Sequence, residues 1–114
     1  MNKYRDKSDF EINKAVAEEL IQSGFIIGVE YHDKHILVMD KYANNYPFDP
    51  CNNPADAWPI IIENGIAIHP YKTATPSAFD AEIGEFHGHA VFNENIYRAA
   101  MEVFLMMKDS ENEK

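Results

Sequence analysis

The residues best suited to metal chemistry are His87 and His89, which flank a single glycine. Alternate side chains of an extended segment point to the same side, so these two imidazoles could share one ion. A complete site needs three or four ligands of good geometry, and two histidines at this spacing also occur on an ordinary polar strand. We therefore predict no resident metal and no cofactor. Further ligands, if a site exists, are available at Asp80, Glu82, Glu85 and His69.

Cys51 is the only cysteine and so the only candidate thiol nucleophile. A reactive thiolate needs a neighbouring base or positive charge. Asp49 and Asp56 lie close to Cys51 in the sequence, and their negative charges would raise the pKa of the thiol. We predict that Cys51 is a small packed side chain and that the protein has no catalytic residue. A single cysteine also excludes an internal disulfide, which fits a reducing compartment.

Aromatic residues cluster around a proline-rich segment, residues 47–59. Aromatic rings can stack on nucleic-acid bases, but Lys41 is the only base nearby to hold phosphates. Core packing or a protein interface, where tyrosine and tryptophan are enriched, is the better interpretation. The cluster consists of Tyr42, Tyr46, Phe48 and Trp58.

The charge is strongly acidic, with 10 basic and 19 acidic residues among 114. Residues 42–97 contain seven acids and a single base, Lys72. Such a surface repels phosphate backbones, so direct nucleic-acid binding is not expected. The acidity can serve solubility, docking of a basic partner, or imitation of nucleic acid. The candidate interaction surface is Tyr46, Asp49, Asp56, Glu63 and Glu85.

The length predicts one domain over residues 1–114, with a frayed charged tail at 109–114. The longest apolar runs are far below the roughly 20 residues of a membrane span, and the first residues lack the apolar core of a signal peptide. We expect a cytoplasmic protein that does not contact membranes.

Capping signals predict three helices. Ser8-Asp9-Phe10-Glu11 has the form in which Ser8 accepts a hydrogen bond from the amide of Glu11, and Gly24 suits a helix end. Pro59 is compatible with a short helix if Asp56 is its N-cap, because first-turn amides have no helical partner. The predicted helices are residues 9–23, 57–64 and 94–108, the last capped by Asn93.

Runs of β-branched and aromatic residues predict the strands. A turn at 32–34 joins the first two strands into a hairpin, and the small polar residues of 71–81 favour a loop. The predicted strands are residues 25–31, 35–42 and 66–70, while 83–92 is either a glycine-interrupted strand or an ordered loop.

This order of elements predicts an α+β fold, with an antiparallel sheet of three or four strands, two longer helices packed on it and one short helix. In the short helix, Trp58, Ile61 and Ile62 are placed on the inward side. In the last helix, Met101 and Leu105 lie off the main apolar side. That helix is therefore either central or partly buried in a homodimer.

Two segments resemble the phage NinX-like family, small proteins of temperate phages and prophages of enteric bacteria. They are FDPCNNPADAWPIIIENGIAI at 48–68 and NENIYRAAMEVFLMM at 93–107. One departure is Asn95-Ile96-Tyr97, where relatives tend to have Asn-Pro-Leu. The resemblance implies a phage or prophage origin, and it brings no catalytic residues. The matching residues are Phe48, Asp49, Pro50, Cys51, Pro59, Ile60, Ile61, Asn95, Arg98, Ala99, Ala100 and Met101.

We therefore expect a small non-enzymatic phage accessory protein that binds a host or phage protein through its acidic, aromatic-containing surface. One alternative is an acidic decoy whose carboxylates imitate the phosphates of nucleic acid. The other is a metal-dependent enzyme using His87 and His89, which requires a pocket where these groups converge.

Overall fold

Helices and short antiparallel strands alternate along the chain. The structure, a computed structural model, describes residues 2–82 and 85–112, with side chains over 2–80 and 89–112. No helix among these residues is long and apolar enough to cross a bilayer. The elements are α1 (Asp9–Ser23), β1 (Gly28–His32), β2 (His35–Met39), β3 (Asn45–Pro47), α2 (Pro54–Glu63), β4 (Ile66–His69), β5 (Ser77–Glu82), β6 (Glu85–Phe92) and α3 (Ile96–Asn112).

The first helix begins and ends where its capping residues predict. The Ser8 hydroxyl accepts a hydrogen bond from the Glu11 amide at 3.2 Å, which satisfies one of the free amides of the first turn. Gly24 adopts a left-handed conformation with φ of 85° and donates to the carbonyl of Ile21. Both predicted ends are confirmed, and the inward side of α1 buries Ile12, Val16, Ala17 and Leu20.

The strands form two antiparallel sheets of three, ordered β1-β2-β3 and β4-β5-β6 among the described residues. The α+β class and the predicted hairpin of β1 and β2 are confirmed, and the strands divide between two sheets instead of forming one. The sequence prediction missed β3, a three-residue strand that ends at Pro47 and pairs with β2. Proline is compatible with this position because β3 lies at a sheet edge.

The predicted loop at 71–81 is wrong from Ser77 onward. Ser77–Glu82 is β5, the central strand of the second sheet, with β4 on one side and β6 on the other. Ser77 and Ala78 are buried, and α3 packs on this strand. Small side chains favoured a loop in the sequence, but here they permit close approach of a helix.

The second helix starts earlier than predicted. Its N-cap is Asn53, whose side chain accepts from the Ala55 amide at 3.1 Å, and Pro54 occupies the first turn. The assignment of Asp56 as the N-cap is therefore wrong, and Pro59 lies inside the helix. Pro59 has no amide to donate to the carbonyl of Ala55. Ala55 itself is exposed.

The predicted inward side of α2 is also partly wrong. Ala57, Ile60 and Ile61 are buried, whereas Trp58 is 41% exposed and Ile62 is 73% exposed. The buried sector is centred between Ala57 and Ile61, so Trp58 and Ile62 are rotated away from the core. The indole of Trp58 packs edge-on against the ring of Tyr97, with 6.5 Å between ring centroids.

The last helix is the centre of the fold. It packs against α1, α2 and all three strands of the second sheet. Met101 and Leu105 are buried within the chain itself. Their position off the main apolar side therefore reflects central packing and does not require a second copy.

Both ends of α3 differ from the prediction. Asn95, not Asn93, caps the helix, because its side chain accepts from the amides of Tyr97 and Arg98, each at 3.1 Å. The helix continues to Asn112 instead of ending at Lys108. Residues 109–112, predicted as part of a frayed tail, are thus helical.

Candidate functional site

Three of the predicted surface residues line one apolar groove beside α2. Tyr46 comes from β3, and Asp56 and Glu63 come from α2. The groove has a volume of about 180 Å³ and is hereafter called the α2 groove. Its floor consists of buried core side chains, namely Leu20, Ile26, Phe48 and Ile60.

Two aromatic side chains form the walls of the α2 groove. Phe25, in the connection between α1 and β1, is 56% exposed, and Tyr46 is 38% exposed. Asp56 and Glu63 are seven residues apart, two turns of α2, so both carboxylates lie along the same edge. The groove therefore combines an apolar floor with an acidic rim.

The electrostatics of the rim are set by burial and by neighbouring acids. Burial raises the pKa of Asp56, the hydrogen bond from the Asp49 amide at 2.9 Å opposes that shift, and the charge of Asp49 adds to it. Burial also raises the pKa of Tyr46, with further contributions from Asp40 and Asp56. The Tyr46 phenol consequently keeps its proton at neutral pH and can donate a hydrogen bond.

The other two predicted surface residues lie elsewhere. Asp49 lines a neighbouring groove on the far side of Phe48. Its carboxylate accepts from the side-chain amides of Asn13, at 2.7 Å, and Asn52, at 3.2 Å, so it is committed to the scaffold. Glu85 lies in β6, and its side chain is outside the described residues.

The outer side of α2 carries a second exposed apolar pair, turned away from the groove. Trp58 and Ile62 are four residues apart and therefore lie above one another on successive turns. Together with the rim residues Asp56 and Glu63 they are called the α2 face. Within the described part of the chain, no basic side chain pairs with Asp56 or Glu63.

Of the two histidine candidates, His89 has a described side chain, and its partners are not those of a metal site. His89 bonds Asp80 through Nδ1 at 2.7 Å and Ser110 through Nε2 at 3.1 Å. The side chain of His87 lies outside the described residues. Among the side chains that are described, no group of three or more histidines, cysteines or acids is placed to hold an ion. The sequence prediction named Asp80 among the possible further ligands and missed Ser110.

Asp80, His89 and Ser110 have the hydrogen-bond order of a serine nucleophile with its base and orienting acid. Ser110, however, lies near the end of α3, where the helix dipole is negative. An oxyanion would be repelled there, and amides of a last helical turn are already bonded to preceding carbonyls. The arrangement instead ties the end of α3 to β5 and β6.

The family model for bacteriophage P22 NinX matches residues 3–108, nearly the whole chain. The chain belongs to this family. Comparisons with curated proteins and with solved structures gave no match. NinX membership identifies a small phage accessory protein and confirms the resemblance in the two quoted segments.

In this NinX-family chain, Arg98 is the centre of a buried polar network. The sequence analysis named Arg98 only as a residue that matches the family pattern and did not predict the network. Its guanidinium donates to Glu102 at 2.8 Å, to Asp9 at 2.7 Å and to the carbonyls of Tyr4, at 3.0 Å, and Lys7, at 2.6 Å. Burial lowers the pKa of Arg98, but the hydrogen bonds to Glu102 and Asp9 outweigh burial and raise it. The network holds the N-terminal segment and α1 against α3.

Cys51 also belongs to the scaffold of this NinX-family fold, as predicted. It is fully buried, its amide donates to Asn13 at 3.1 Å, and its carbonyl accepts from the side chain of Asn95 at 2.6 Å. Burial is the main cause that raises the pKa of the thiol, and the nearby charge of Asp9 adds to it. The thiol is therefore poorly suited to act as a nucleophile.

Proposed function

We propose that this NinX-family protein is a non-enzymatic accessory protein that acts in the host cytoplasm by binding a basic segment of a host or phage protein. The observation that carries the proposal is the α2 face. There, two large apolar side chains, Trp58 and Ile62, are exposed on successive turns of one flank of α2, and the carboxylates of Asp56 and Glu63 lie along its other flank.

The chemistry of the α2 face matches what stable protein contacts use. Tryptophan anchors at the centre of an interface often contribute about 2 kcal/mol or more when they are desolvated. Carboxylates around such an anchor accelerate encounter with a positively charged partner and disfavour acidic ones. Trp58 supplies the anchor, and Asp56 and Glu63 supply the charge.

A partner of different sequence suits this surface better than a second copy. In a two-fold dimer the same patch meets itself. Such a dimer would bring two sets of Asp56 and Glu63 carboxylates together, with no base of the described residues beside them. A segment carrying lysine or arginine next to an apolar residue removes this repulsion.

The same surface favours a protein partner over imitation of nucleic acid. A decoy requires rows of carboxylates at the spacing of phosphates. Between Asp56 and Glu63, the exposed side of α2 instead presents Trp58, Pro59 and Ile62. Apolar side chains in the middle of the surface suit desolvated contacts between proteins.

The proposal is tested by crosslinking from the α2 face in infected cells. A photoreactive amino acid at position 62 is expected to capture a protein through a peptide that contains lysine or arginine. The same amino acid at position 71 is the matched control, because Tyr71 is an exposed aromatic residue that is not part of the α2 face. Glu63→Lys is expected to reduce capture roughly tenfold through charge repulsion.

Glu30→Lys is the matched charge reversal, at an exposed position on β1, and is expected to leave capture unchanged. Equal capture from positions 62 and 71, or equal loss in both lysine variants, would contradict the proposed surface. A concentration-dependent dimer that Ile62→Arg dissociates would show that a second copy occupies it instead.

A further inference from the structure

We infer that the α2 groove is an anchor pocket for a single aromatic side chain whose neighbouring group is a cation, such as lysine or arginine. This inference deepens the proposed function and rests on it, because it names the part of the partner that enters the chain. The occupant we commit to is a protein segment with an aromatic residue beside a base.

The size of the groove suits one ring. A cavity of roughly 150 Å³ lined by aliphatic and aromatic side chains holds benzene. The α2 groove measures about 180 Å³ and opens to solvent on one side. It is large enough for a phenyl ring or the main part of an indole, and too small for an entire helix or a nucleotide.

The floor of the groove is already built into the core. Leu20 is held by α1 and Ile60 by α2. Phe48 is held by a hydrogen bond from its backbone amide to the Ile36 carbonyl, at 2.9 Å. All three are buried. A ligand therefore enters a pre-formed site, so binding does not bear the entropy cost of ordering the floor.

The walls provide ring faces that the fold leaves open. Phe25 and Tyr46 both line the groove and are both substantially exposed. An incoming ring can pack edge-to-face against either side chain, a geometry that contributes beyond the burial of area alone. An aliphatic side chain would gain only the free energy of burying its apolar surface.

The rim determines the charge of the occupant. Asp56 and Glu63 lie along one edge, and the Asp49 amide holds the Asp56 carboxylate in place. Among the described residues, the groove lining contains no lysine, arginine or histidine. A cation carried close to the ring, as in phenethylamine or on the side chain of a neighbouring lysine or arginine, would be attracted by these carboxylates, whereas an anion would be repelled.

The test uses three probes that share a phenyl ring and differ in charge: phenethylamine, 2-phenylethanol and 3-phenylpropionate. Each is titrated into the ¹⁵N-labelled full chain at low salt. Saturable shifts are expected at the amides of the groove, including Ala55, Glu63 and Asn64. Phenethylamine is expected to bind roughly two- to fivefold more tightly than the alcohol, with the carboxylate weakest.

Three variants sharpen the result. Glu63→Gln is expected to reduce the preference for phenethylamine while leaving the affinity for 2-phenylethanol unchanged. Phe25→Ser is expected to weaken all three probes, whereas Phe92→Ser, at an exposed aromatic position outside the groove, is the matched control. The fold of each variant is checked by the dispersion of the same spectra.

The absence of saturable shifts at the groove amides at millimolar probe would overturn the inference, as would equal affinity for the three probes. If position 62 captures a basic partner while the groove binds no probe, the anchor pocket is wrong and the proposed function stands. The opposite result, in which the groove binds the probes but position 62 captures no protein, would contradict the proposed function.

Discussion

Around Arg98, the carboxylates of Asp9 and Glu102 lie within 2.8 Å of guanidinium nitrogens. On α2, the carboxylates of Asp56 and Glu63 contact no basic side chain of the described residues. The two regions use the same chemical groups for different purposes. In the first, the charges are paired and hold three segments together. In the second, no described base neutralises them, although the Asp56 carboxylate also accepts a hydrogen bond from the Asp49 amide.

The apolar residues differ in the same way. Phe104 and Met101, beside the Arg98 network on α3, are buried, whereas Trp58 and Ile62 on α2 are exposed. The only tryptophan of the chain stays 41% exposed, on the same helix as two acids that no basic side chain of the described residues pairs with. The contrast separates residues that stabilise the fold from residues that are free to bind, and the following experiments test that separation.

Arg98→Ala is expected to have the largest effect on stability. It leaves the buried carboxylate of Glu102 without its cation, and breaking a buried pair in this way costs roughly 3–5 kcal/mol. Urea unfolding followed by circular dichroism measures the loss. Arg98→Lys retains the charge but not the planar fork, so its cost is expected to be smaller. A loss below 1 kcal/mol for Arg98→Ala, on the scale of an exposed ion pair, would remove the contrast between the regions.

Cys51→Ser is expected to have the next largest effect. A hydroxyl replaces a fully buried thiol whose polar contact among the described residues is the Asp9 carbonyl, 3.9 Å from Sγ. We expect a loss of about 1–3 kcal/mol in the free energy of unfolding. In the wild type, thiol labelling is expected to be at least about a thousandfold slower in the folded than in the unfolded chain. Rapid labelling of the folded protein would place the thiol at the surface.

Local signals in the sequence predicted α1 correctly because Ser8 and Gly24 act within a few residues of themselves. For α2, the sequence prediction placed the N-cap at Asp56. The structure places it at Asn53, because Pro54 suits the first helical position. Prediction of β5 failed for a non-local reason, since its small residues are explained only by α3 packing on them.

Prediction of the candidate site was limited in the same way, by contacts between residues that are distant in the sequence. Composition singled out Tyr46, Asp56 and Glu63 as surface residues, but their meeting around one groove depends on β3, a strand with no clear signal. The exposure of Trp58 contradicts the predicted inward position, because apolar character alone does not fix direction. The sequence does not indicate a role for Ser110, because a serine near a charged terminus belongs to no motif. Its role is evident only from its hydrogen bond with His89 in the structure.

Trp58→Ala sharpens the comparison at the α2 face. The indole is partly exposed and contacts Tyr97 edge-on, so its removal is expected to cost only about 1 kcal/mol. Phe104→Ala is the matched control in the core and is expected to cost roughly 3–5 kcal/mol. Both are measured by urea unfolding with circular dichroism, because Trp58 is the only tryptophan. Equal losses would mean that Trp58 is as much a part of the core as Phe104.

Asp56→Asn is expected to have the smallest effect and the clearest pH signature. The pKa of Asp56 is raised in the folded protein, mainly by burial, so the folded state binds the proton more tightly than the unfolded state. Wild-type stability therefore falls as pH rises from the unfolded pKa, about 3.9, through the raised folded value. Asparagine lacks this titration but retains an oxygen that can accept from the Asp49 amide.

As pH rises through that window, the free energy of unfolding of the asparagine variant is therefore expected to rise relative to that of the wild type. The variant is expected to keep this gain at pH 7. The gain is expected to stay below about 1 kcal/mol, because solvent screens the partly exposed carboxylate. Urea unfolding at several pH values measures it. A variant less stable than the wild type at pH 7 would mean that the charge-assisted bond from Asp49 outweighs burial. Asp56 would then belong with the carboxylates around Arg98, as a group that holds the fold.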